Sequence, residues 1–226
     1  MAVPTARTAR QQFDDELEQL RLQVELMAVR VDQNLERMHQ VLVTGDVALA
    51  AEAIAADDEV DAMHLSLMER CYELLRREAP VASDLRFVVS VLRVLGELER
   101  IGDLSLRVHK LADRQPAISA HPSVLDVLVS MTECAVDRYR LALRAWATTD
   151  LDLAAELAVS GGLDRFQLRL TTELLALHDV DAVAVAMDAA AIGRAVDRIS
   201  DHASIIGARL RYLITGDPDH LAAEVR

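Results

Sequence analysis

The chain has 226 residues, of which 52% are apolar and 3% aromatic, and it carries a formal net charge of −13. So acidic a chain lacks the basic footprint of general nucleic-acid binding and is ill suited to adhere to an anionic membrane. A core of Leu, Val, Ala, Ile and Met with little Gly or Pro points to packed helices, since sheets draw on aromatic and β-branched residues.

Residues 1–9 read as a frayed start. A first helix spans about 10–43, where Phe13, Leu17, Leu20, Val24, Met27, Val31, Leu35, Met38 and Leu42 recur every three and four residues along one face. Gly45 and Asp46 end it and cap the next helix. The second helix, about 47–77, has an expected stripe of Leu49, Ile54, Leu65, Met68 and Leu75, with Asp57 and Asp61 set within it. Pro80 breaks the pattern and Ser83 suits a new N-cap. The third helix, about 84–112, places Leu85, Val88, Leu92, Leu95 and Leu106 beside Glu99 and Asp103. Arg93, Arg100 and Arg107 fall on a solvated face. Asp84 reads as a first-turn helix charge rather than a ligand.

Residues 113–123 carry two prolines and read as a linker. The scheme then restarts. A fourth helix covers about 122–148, a fifth continues to about His178, and a sixth runs from Asp181 to about Leu213. Thr149 and Asp150 stand where Gly45 and Asp46 stood. The pattern predicts an all-α fold: a duplicated three-helix bundle of six long antiparallel helices with pseudo-twofold symmetry, its repeats at 1–114 and 115–226.

The repeats share an acidic device. Glu99-Arg-Ile-Gly-Asp103 returns as Asp197-Arg-Ile-Ser-Asp201, each with two carboxylates four residues apart on one helix face. Asp57 and Asp61 form a comparable pair. Such spacing also occurs in Asp14/Glu18 and Glu69/Glu73, so it is the apolar stripe that separates the functional candidates. Ionised acids on that stripe need neutralising, by a hard metal ion, by a buried arginine network, or by a partly wet groove. In the second half Asp57 aligns with Ser160 or Gly161, and Asp61 with Asp164, so the second site is expected to be the weaker one.

Cys71 and Cys134 are expected to be buried free thiols, which fits a reducing compartment. No secretory signal or membrane-length apolar run is present, so a soluble cytoplasmic protein is expected. Glu36 and His39 form an E-x-x-H, the di-iron oxidase spacing, but that chemistry needs the motif on two helices. His202 is expected to be exposed or hydrogen-bonded beside Asp201.

Pro80-Val-Ala-Ser-Asp84-Leu-Arg86 with Glu97-Leu-Glu99-Arg-Ile-Gly-Asp103 resembles the first repeat of the PhoU family of phosphate-transport regulators. Asp197-Arg-Ile-Ser-Asp201-His202-Ala203 resembles the second, with Ser200 where the family usually has Gly. The resemblance covers about residues 10–214. It implies a non-enzymatic negative regulator of the phosphate-starvation response, linking the ATPase subunit of a phosphate-specific ABC transporter to a sensor histidine kinase. It implies a homodimer that reaches the membrane only through its partners. It also implies Fe, Zn, Mn, Mg or Ca at Asp57, Asp61, Glu99 and Asp103, and at Asp164, Asp197 and Asp201. A ferritin-like di-iron oxidase and an adaptor for a different transporter are the alternatives.

Overall fold

The computed structural model describes residues 6–78, 80, 82–159, 163–178 and 180–225. All regular structure among them is helical. The first helix, α1 (Ala6–Thr44), buries Phe13, Leu20, Val24, Met27, Val31, Leu35, Met38 and Leu42, the face its periodicity predicts. Gly45 leaves it in the left-handed region (φ 71°), donating its N–H to the Val41 carbonyl at 2.8 Å. Asp46 Oδ1 then accepts the N–H groups of Ala48 and Leu49 at 2.9 and 3.0 Å, which caps α2 (Val47–Glu78).

The buried seam of α2 differs from the one expected. It runs Ala50, Ala53, Asp57, Val60, Leu67, Cys71 and Leu74, while Leu65 is 67% exposed. Small residues and a cysteine carry the seam. A stripe drawn through the largest apolar side chains is turned by one residue, about 100° on a helix. Asp57 therefore lies on the seam and Asp61 beside it, in solvent. In α3 (Ala82–His109) the expected Leu85 is likewise exposed.

The segment expected as a linker is ordered. A 3-10 turn (Ala112–Arg114) leads into α4 (Gln115–Ser119), with Pro116 in its first turn. The buried Gln115 donates Nε2 to the Leu42 and Val43 carbonyls at 3.1 and 3.3 Å, satisfying the C-terminus of α1. Next comes α5 (Pro122–Thr148). Thr149 repeats the left-handed stop (φ 53°), and Asp150 repeats the cap, accepting from Asp152 and Leu153 at 2.8 and 3.1 Å.

The single fifth helix expected from sequence is two, α6 (Leu151–Val159) and α7 (Asp164–Leu175). Ser160, Gly161 and Gly162 between them lie outside the described residues. Consecutive glycines each cost a helix about 1 kcal/mol, so periodicity alone overextended it. The chain then forms α8 (Ala182–Thr215) and a 3-10 turn (Pro218–Val225).

Helices α1, α2 and α3 pack together, as do α5, α6, α7 and α8. One apolar core runs through both sets, because α3 lies along α8 and α1 along α5. The α1–α5 seam is tied by the buried Tyr139 hydroxyl, which donates to the Ala28 carbonyl at 2.7 Å. Arg140 adds bonds to Asp32 (2.9 Å) and Glu36 (2.8 Å). Helices α3 and α8 run antiparallel: Glu97 meets His202, and Arg86 lies against Gly216 one end further on. That crossing sets the two acid-bearing helices side by side.

Candidate functional site

The α2–α3 contact brings together the four first-half acids. Asp57 is 4% exposed and its Oδ1 has no hydrogen-bond partner among the described residues. Gly102 gives it room: a Cβ built there would stand 3.1 Å from Asp57 Oδ1, a tight contact. Burial raises the Asp57 carboxyl to about 6, with Asp61, Asp103, Asp58 and Glu99 adding negative charge around it. Burial also raises Glu99, helped by Asp103 and Asp61 and opposed by His64. His64 is thus a member of this cluster that is absent from the acid motifs. The signal was its i,i+3 spacing from Asp61.

Asp61 and Asp103 are exposed and Glu99 is half-buried. Among the described residues no three His, Cys, Asp or Glu side chains converge closely enough to hold a metal ion as they stand. The donor set nonetheless fits a hard cation: carboxylate oxygens, one of them buried and unpartnered, on two adjacent helices. Side-chain rotation at the exposed Asp61 and Asp103 is what would close such a site around Asp57 and Glu99.

The second half gathers a smaller set. Burial raises the half-buried Asp197, Asp201 and Asp164 raise it further, and Arg198 opposes them. Asp164 and Asp201 are exposed. Ser160 and Gly161, the counterparts of Asp57, lie outside the described residues. Ser200 stands where the first repeat has Gly102, and its buried hydroxyl has no partner among the described residues. Sequence reading missed Arg138. It is buried, donates to the Leu157 carbonyl and to Ser204 Oγ, and feels the charge of Asp201. Its guanidinium offsets part of the charge of Asp201.

Other candidates fall into structural roles. Glu36 is held below the usual carboxylate range by its bond from Arg140, and His39 Nε2 lies 3.4 Å from Glu133. The E-x-x-H pair is therefore engaged with α5. Asp84 sits in the first turn of α3 and accepts from Arg10 at 2.8 Å. His202 is buried, its Nδ1 2.5 Å from Glu97 Oε2, so it joins the repeats rather than facing solvent. Cys71 is buried and Cys134 half-buried, both free.

Beside the first acid group a groove of about 760 Å³ opens between α3 and α8. Its lining includes Glu99, Asp103, Arg100, Arg107, Arg194 and Arg198.

Comparison with known proteins covers nearly the whole chain. Residues 24–112 match the model of the PhoU domain. The phosphate-specific transport system accessory protein PhoU of Serratia marcescens is 28% identical over 219 residues, 94% of this chain and 89% of that protein. PhoU homolog 2 of Mycobacterium tuberculosis is 29% identical over 184 residues, 80% of this chain and 86% of that protein. The crystal structure of PhoU from Pseudomonas aeruginosa superposes with a TM-score of 0.85 at 28% identity, over 91% of this chain and all of that one. A PhoU structure from Streptococcus pneumoniae, 23% identical, shares the fold with a TM-score of 0.79 over 91% of this chain and 98% of that one.

Proposed function

Because this chain belongs to the PhoU family, we propose that it is the accessory protein of a phosphate-specific transporter and holds the phosphate-starvation response off when phosphate is plentiful. It does so by coupling the transporter's ATPase subunit to a sensor histidine kinase. The observation that carries this reading is the match of relatives named for phosphate-specific transport along nearly the whole chain, both repeats included. No described helix is long and apolar enough to cross a membrane, which suits a cytoplasmic protein that meets the membrane through its partners.

In this reading Asp57, Asp61, Glu99 and Asp103 hold a divalent or trivalent ion, one of Fe, Zn, Mn, Mg or Ca. The ion supplies positive charge where Asp57 has none, and so braces α2 against α3. Asp164, Asp197 and Asp201 form the weaker second site, with Arg138 and Arg198 supplying part of that charge. Homodimerisation belongs to the same reading. The role is regulatory and not enzymatic, and the engagement of Glu36 and His39 with α5 disfavours the di-iron oxidase alternative.

The test is expression of phosphate-uptake genes in a deletion strain. Loss of the gene is expected to release them in high phosphate, and the intact gene to restore repression. Unchanged repression sinks the phosphate assignment and favours an adaptor for another transporter.

A further inference from the structure

The arginine of each Arg-Ile dipeptide adds positive charge beside the acid sites but carries no oxygen that could ligate a cation there. Arg100 and Arg198 project away from the carboxylates that precede them, since neighbouring positions on a helix point about 100° apart. Because α3 and α8 run antiparallel, these two arginines, at matching places in the two motifs, reach the same groove from opposite walls. Arg107 joins from α3, two turns or about 10 Å further on, and Arg194 from α8 one turn away. Among the described residues Arg107, Arg194 and Arg198 have no hydrogen-bond or ion-pair partner, and Arg100 reaches only Glu97 at 3.6 Å. In a chain with 37 acids and 24 lysines and arginines, four guanidiniums gathered with so few bonds are a local inversion of charge. The groove's volume lies in the range of small-ligand sites.

We propose that this groove binds a ligand built of linked phosphate groups, with Arg100, Arg107, Arg194 and Arg198 taking the phosphoryl oxygens. Guanidinium forks match phosphate bidentately and stay charged at any physiological pH. Two turns of arginines suit an extended chain of phosphates better than a single one. Glu99 and Asp103, on the same lining, repel a bare anion. They suit the magnesium ion that accompanies such a chain, because Mg²⁺ is commonly held by one or two carboxylates together with ligand phosphates. A condensed inorganic phosphate and a nucleoside polyphosphate share this chemistry.

Calorimetric titration of the purified full chain in magnesium buffer tests the proposal, with inorganic tripolyphosphate, ATP and citrate as probes. Binding of tripolyphosphate or ATP at micromolar concentration, one per chain, is expected. In the double variant Arg107→Gln/Arg194→Gln the affinity is expected to fall at least tenfold. Arg93→Gln, on the same helix but outside the groove, leaves it unchanged. These are exposed positions, and circular dichroism checks that each variant is folded. Equal binding of tripolyphosphate and ATP means the phosphate chain is what is read; ATP alone identifies a nucleotide. No binding of either at 1 mM, an unchanged affinity in the double variant, or citrate binding as tightly as tripolyphosphate overturns the proposal. Because the readout is binding to the isolated chain, its failure leaves the regulatory reading standing, and unchanged repression in a deletion strain leaves this one standing.

Discussion

Asp57 sits among apolar neighbours on the α2 seam with one oxygen unpartnered, so its ionisation works against the fold. Its folded-state value of about 6 lies above the ordinary 3.8. A raised carboxyl contributes stability that is present at acid pH and is lost as pH climbs from about 4 through 6. In chelator, Asp57→Asn is therefore expected to be more stable than the parent above pH 6, by about 1–3 kcal/mol, and the difference to vanish below pH 4. Urea unfolding across pH measures it. Added Mn²⁺ or Mg²⁺ is expected to raise the Tm of the parent at pH 7 and leave that of Asp57→Asn unchanged. Absence of any metal-dependent shift in the parent would remove the cation from this site. His109 provides the contrast. Burial lowers it to about 4, so it stays neutral and packs in the core, its Nε2 near the Asn34 carbonyl.

At the scale of elements, the duplicated caps are the most direct link from sequence to structure. Asp46 and Asp150 each accept two backbone N–H groups at the start of a helix. Asp46→Ala and Asp150→Ala are each expected to cost about 1 kcal/mol in urea unfolding, the usual worth of an N-cap. An unchanged midpoint in either variant would contradict its cap. These caps were legible because a turn residue followed by Asp has a local cause. The α1 face was legible for the same reason, being a single unbroken period. Two features were not. The α2 seam is built from Ala50, Ala53 and Cys71, and small residues weigh little in a pattern read by hydrophobicity. The roles of Gln115, Arg138 and His202 depend on partners on other helices, the Leu42 carbonyl, the Leu157 carbonyl with Ser204, and Glu97, and no local period encodes such pairings. The acid groups were legible as motifs, but their unequal burial became visible only once the seam was placed.

At the scale of the molecule, the continuous core couples the repeats. Trp146 is the only tryptophan and is buried in the second half, so its fluorescence reports that half, whereas far-UV circular dichroism reports every helix. Coincident urea transitions by the two probes are expected, as for one cooperative unit. Two separated transitions would mean that the repeats unfold independently. Tyr139→Phe, which removes the hydroxyl bonded to Ala28 across the α1–α5 seam, is expected to move both probes together by about 1 kcal/mol.

The contrast between Gly102 and Ser200 reaches beyond either site. A backbone with twofold symmetry would offer a visitor two equal docking orientations. Here one repeat admits a carboxylate against a bare Cα, and the other presents a hydroxymethyl group at the equivalent place. The chain thus has a head and a tail although its helices nearly lack them. A visitor reading that place meets two different surfaces on one chain.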